Sequence, residues 1–96
     1  MITNQSSIEL IEALKSKTIE VNSLISGLKP KYSEVTDEEY LVLLEVSSAI
    51  LDVVNLSKKI ATVESRMVDD MKAIETMFTL LYNKVYGILI SNVTFH

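Results

Sequence analysis

TDEEYLVLLEVSSAILDVVNLSKKIATVESRMVDDMKAIETMFTLLYNKVYGILI, residues 36–90, contains no proline and no glycine before Gly87. Along it Leu43, Val46, Ile50, Val53, Ser57, Ile60, Glu64, Met67, Met71, Ile74, Phe78, Leu81, Val85 and Ile88 recur at alternating spacings of three and four. All but Ser57 and Glu64 are apolar, a sustained heptad seam that predicts helix more strongly than residue propensity does.

The start of this stretch is sharply marked. Thr36 and Glu39 have the spacing of a capping box, Asp37 to Glu39 place negative charge where the helix dipole favours it, and Val35 with Tyr40 occupy the positions of a hydrophobic staple. With Leu43 at heptad position a, Tyr40, Val54, Ala61 and Val68 fall at e, and Val42, Ala49, Leu56 and Val63 at g. Apolar a, d, e and g together predict burial by more than one neighbouring helix, while Glu45, Asp52, Lys59 and Arg66 at c mark a solvated side.

Upstream, Ser6-Ser7-Ile8-Glu9 has capping-box spacing and predicts a first helix over about residues 7–27. Ile8, Ile11, Leu14, Val21, Ile25 and Leu28 form its apolar stripe, opposite Glu9, Glu12, Ser16, Glu20 and Ser23. Gly27 is placed for a left-handed cap, Lys29 suits the negative end of the helix, and Pro30 prevents continuation. The connection over 29–35 has the length of an antiparallel helical hairpin.

The chain therefore reads as all-α: a short first helix, a long second helix over about 37–90 and a short C-terminal tail, associating into a helical bundle. About 20 residues of first helix span roughly 30 Å, whereas an unbroken helix of about 55 reaches roughly 80 Å, so its distal half needs cover from another subunit. The alternative is a break near Ser57–Ser65, where the two polar seam positions lie, giving a three-helix bundle. The continuous helix is preferred because the segment lacks glycine, proline and a capping box, and single polar seam positions also fix register in coiled coils. Beyond Gly87 the β-branched sequence argues poorly for helix.

Ninety-six residues make a single domain. With 48% apolar and 23% charged residues and a mean hydropathy of +0.27, the composition is too hydrophobic for a disordered chain. Without cysteine there is no disulfide framework or thiolate chemistry. Nine scattered basic residues against thirteen acidic ones, a net charge of -4, disfavour nucleic-acid binding. The N-terminus has no pattern of a secretory signal, and the uncharged run from Val85 to Phe95 is shorter than the about 20 residues a bilayer requires, so no membrane partner and a cytoplasmic location are expected.

Chemistry-bearing patterns are sparse. His96, the lone histidine, is terminal, and Asp70 and Glu64 share a register without a histidine to complete a helical metal site. Asp69-Asp70 beside Met67 and Met71 reads as a solvated acidic pair next to core methionines. Small all-helical enzymes such as chorismate mutases hold anionic substrates with several arginines; here there is Arg66 alone, and no phosphate loop or catalytic triad pattern accompanies it. Asn92-Val93-Thr94 matches a glycosylation sequon, which carries little weight without a secretory signal.

The reading is thus a non-enzymatic protein-protein interaction module, adaptor-, inhibitor- or chaperone-like, with no cofactor and no metal. It is expected to form homo-oligomers, a dimer being the simplest, and to engage a protein partner. The stripe that the first helix cannot reach supplies the candidate partner-binding residues: Met67, Met71, Ile74, Phe78, Leu81, Tyr82, Val85 and Tyr86. Tyr82 and Tyr86 lie four apart on one face, and Tyr32 and Tyr40 flank the hairpin corner. An alternative function is a small-ligand pocket at a subunit interface, lined by Tyr82, Lys84 and Tyr86.

Overall fold

The computed structural model describes residues 2–28 and 35–93, with side chains from residue 7 onward. Three helices follow one another: α1 (Ile2–Ser26), α2 (Asp37–Val63) and α3 (Val68–Ser91), the last two joined through a single 3-10 turn at Ser65–Met67. No strand occurs among the described residues. The helices run up, down and up in an elongated body of 52 × 18 × 18 Å, with α1 and α3 each packed along α2 rather than on one another.

The all-α bundle is therefore present, in its three-helix form. The uninterrupted helix over 37–90 is not formed, because the backbone leaves helical geometry at Glu64 (φ −127°, ψ 89°). The physical reason lies in α2, whose apolar surface is too broad for one neighbour. Folding α3 back covers its second flank within one chain, without a second subunit.

Thr36 caps α2 as its spacing implies. The Glu39 N–H donates to Thr36 Oγ1 at 3.1 Å, and the Thr36 N–H donates to Glu39 Oε1 at 2.9 Å. The other boundaries differ from expectation. Since α1 already begins at Ile2, Ser6 is interior to it and its capping box does not start the helix. Gly27 is not left-handed; α1 closes instead by tightening, with the Leu28 N–H donating to the Ile25 carbonyl at 2.9 Å. The readings of Lys29, Pro30 and Tyr32, and of His96, fall outside the described residues.

Helix α3 runs through Gly87 to Ser91 despite the β-branched sequence there, and Asn92 explains how. Its buried side chain donates from Nδ2 to the Ile88 carbonyl at 2.8 Å and accepts the Val35 N–H on Oδ1 at 3.0 Å, tying the end of α3 to the start of α2. That burial also leaves no room for a glycan on Asn92 in the folded chain.

The core is centred on α2. Val46, Ile50, Val53, Ser57 and Ile60 are all fully buried, with Leu14 and Val21 from α1 and Met71, Val85 and Leu89 from α3 packed around them. Burying a Val- or Ile-sized side chain contributes about 1.5 to 3 kcal/mol. Ser57 enters this core because its Oγ donates to the Val53 carbonyl one turn back, at 2.9 Å. It is a small packing residue, not part of the turn. By length and composition alone α2 is also apolar enough to cross a membrane, with a mean hydropathy of 1.5, a property that the core helix of a soluble bundle shares.

Candidate functional site

Of the eight stripe residues expected to meet a partner, Met67 lies in the 3-10 turn and the other seven on α3. Met71 and Val85 are buried in the core; Met67, Ile74, Phe78, Leu81 and Tyr82 pack against it half-covered; Tyr86 is 50% exposed. The stripe is out of reach of α1, as its position implied, but α2 takes much of it. What remains open follows from the packing order. Because α1 and α3 do not close on one another, Ile74, Phe78, Leu81 and Ile88 keep a water-facing side.

The register of α2 against α3 defines a second apolar feature. Lys58 Nζ lies 3.9 Å from Glu75 Oε1, an ion pair across the outer edge of the two helices. Heptad spacing from that pair, one heptad back on α2 and one forward on α3, aligns Leu51 with Tyr82, and a further heptad aligns Leu44 with Leu89. Leu44 and Leu51 are 43% and 44% exposed. Tyr86 stacks on Tyr82 with ring centroids 5.9 Å apart and planes 13° from parallel, extending the edge by one turn. The result is an aliphatic and aromatic edge bounded at one end by the Lys58–Glu75 pair.

Sequence reasoning found the tyrosines and missed the leucines. The signal was present: Leu44 and Leu51 fall at heptad position b and Leu41, 65% exposed, at f, positions that face water in a helix with one buried stripe. Leucine there is informative because exposed apolar groups matter when they are contiguous.

The polar side of the molecule offers less. Between α1 and α2 a shallow cleft is lined by Ala13, Ser16, Lys17, Asp52, Asn55, Leu56 and Lys59. Lys17 Nζ lies 3.3 Å from Asp52 Oδ2 and 3.5 Å from Glu20 Oε2. Its hydrogen bond to Asp52, then the charge of Glu20, raises the lysine above its ordinary value. The Lys17–Asp52 pair bridges α1 and α2 at the surface. Asp69, Asp70, Arg66 and Lys84 are exposed, Glu64 and Tyr40 half-buried, and among the described residues no three metal-ligating side chains converge. The cleft is remote from Tyr82, Lys84 and Tyr86, so within a single chain these three do not line it.

No protein-family model, curated protein or solved structure matches this chain.

Proposed function

We propose that the protein is a non-enzymatic helical interaction module that docks on a partner protein through the α2–α3 edge and the adjoining half-covered face of α3, and that it acts as a cytoplasmic homo-oligomer, most simply a dimer. The observation that carries this reading is the exposure of Leu44, Leu51 and Tyr86, with Tyr86 stacked on Tyr82, on positions that the Lys58–Glu75 register aligns along one edge of the bundle. Large apolar side chains gathered in this way mark interaction surfaces, whereas scattered ones do not. Tyrosine suits such an edge because it gives broad contact area with few rotatable bonds and keeps a hydroxyl for water or a partner. Adaptor, inhibitor and chaperone-like roles all use this kind of surface.

The test combines molar mass in solution with affinity capture by wild type and by Leu51→Lys and Tyr86→Lys variants. Both positions are exposed, so the helical circular dichroism should be unchanged. A partner, or a second copy, that is retained by wild type and by a Lys59→Ala control but lost from both variants is the expected result. Equal retention by all four proteins would exclude the edge.

A further inference from the structure

The turn at Glu64–Met67 is built from residues that do not require a turn. Between Thr62 and Val68 there is no glycine, proline or asparagine, and neither the 3-10 turn nor α3 receives a side-chain cap. Helical hydrogen bonding reaches into it, since the Glu64 N–H still donates to the Ile60 carbonyl at 2.8 Å. Beyond that point the Met67 N–H donates to the Glu64 carbonyl at 3.0 Å, and among the described residues the Ser65 and Arg66 N–H groups have no backbone acceptor. The heptad seam nevertheless passes through the turn without losing phase, from Ile60 by way of Glu64 and Met67 to Met71. Local sequence thus favours one helix where the fold has two.

We propose that this turn is a hinge through which two copies exchange α3. Straightened, residues 37–91 form one helix, and the Ser65 and Arg66 N–H groups gain the Ala61 and Thr62 carbonyls as acceptors. Because the seam keeps its phase, each α3 meets the partner's α2 in the same antiparallel register that it has in the single chain. Every α2–α3 contact is then remade between copies, and α1 stays on its own α2. The arrangement is two-fold and self-complementary. Its axis passes through the turn: Lys58 opposite Glu75 centres between Arg66 and Met67, and Val35 opposite Asn92 between Val63 and Glu64.

That centre assigns Glu64 a role. As a seam residue within one turn of the two-fold axis it lies near its counterpart, so the exchanged dimer, and only that form, brings two carboxylates into the same stretch of interface. Glu64 thereby biases the chain toward the closed form. Since the two forms share their packing, the balance between them follows the effective concentration of α3 next to its own α2, which for a short connection is on the order of millimolar.

This inference is independent of docking on a foreign partner and is tested separately. Glu64→Leu removes both carboxylates from that interface and supplies the missing seam side chain; it should lower the concentration at which half the chains are dimeric by more than tenfold. Ser65→Pro does the reverse. It fits the turn, where the Ser65 N–H is unused and Glu64 already has the extended backbone that precedes proline. In a continuous helix it clashes with the Ala61 carbonyl.

Light scattering on the Glu64→Leu chain should show dimers that are lost in the Glu64→Leu, Ser65→Pro combination. Topology is read by adding Lys58→Cys and Glu75→Cys, clean probes in a chain without cysteine, and closing them with a short bismaleimide. Exchange gives covalent dimers on a denaturing gel. A Glu64→Leu chain that stays monomeric to millimolar concentration overturns the proposal. So do dimers that survive Ser65→Pro, or that cross-link only within one chain, which indicate a face-to-face dimer. Capture of a foreign partner by the monomeric Ser65→Pro chain would leave the docking function standing in either case.

Discussion

The Val35 N–H donates to Asn92 Oδ1 at 3.0 Å, joining residues 57 apart in sequence in a bond buried at the end of the bundle. Val35 immediately precedes the cap of α2 and Asn92 ends α3, so this one side chain closes the second helix pair at the end remote from their turn. The Asn92 side chain has both its acceptor and its amide donor in use.

Asn92→Ala leaves the Val35 N–H without its partner in a buried site. Such a loss costs about 1 to 3 kcal/mol. Urea unfolding should show a lowered midpoint with little change in slope, and hydrogen exchange should show faster exchange at Val35 than in wild type. An unchanged exchange rate at Val35 would show that the bond is not maintained in solution.

Ser57 tests whether the polar seam position is a packing site. Its hydroxyl bonds only a carbonyl of its own helix, so Ser57→Ala should change stability by less than about 1 kcal/mol. Ser57→Leu, which would improve a simple coiled-coil seam, should here overpack a fully buried position and cost about 1 to 3 kcal/mol. Thermal or urea unfolding of the two variants decides between these pictures.

Gly87 lies inside α3, is exposed, does not have a positive φ, and a Cβ added there meets nothing within 4 Å. Gly87→Ala should therefore stabilise the protein by about 0.5 to 1 kcal/mol, through the lower backbone entropy of the unfolded chain and the better helix propensity of alanine. A raised thermal midpoint with an unchanged helical spectrum is the expected outcome. Destabilisation would mean that another chain approaches the backbone at this point.

Lys17 gives a pH dependence of known sign. Its pairing with Asp52, and secondarily with Glu20, raises its pKa in the folded state. The stability it contributes is fully present below the ordinary lysine value of 10.5 and is lost as pH rises through the raised one. Comparing thermal midpoints of wild type and Lys17→Met should show a small wild-type advantage at neutral pH that disappears in strong alkali. Because the pair is exposed, added salt should also diminish it.

Much of the fold is legible in sequence because it is written in short-range periodicity. The capping box at Thr36, the breadth of the apolar surface on α2 and the water-facing Glu45, Lys59 and Arg66 need only the geometry of one helix to be read. The candidate edge was half legible. Tyr82 and Tyr86 are neighbours by helical spacing, but Leu51 joins them only through the α2–α3 register, which no local pattern in either helix supplies. Gly27 and Ser6 misled for a related reason: each has the right chemistry for a helix end, while the actual ends of α1 lie elsewhere.

The sequence by itself determined that this protein is helical, where its apolar surfaces lie and that they exceed what one neighbouring helix can cover. It did not determine whose helix would cover them. The seam runs in phase through Glu64, so a straight helix and a folded one satisfy the same heptad pattern, and local hydrogen bonding favours the straight form. Only the tertiary structure decided for the turn. It does so because α3, tethered by a few residues, is always near its own α2, and because doubling back lets Asn92 close the far end against Val35 of the same chain.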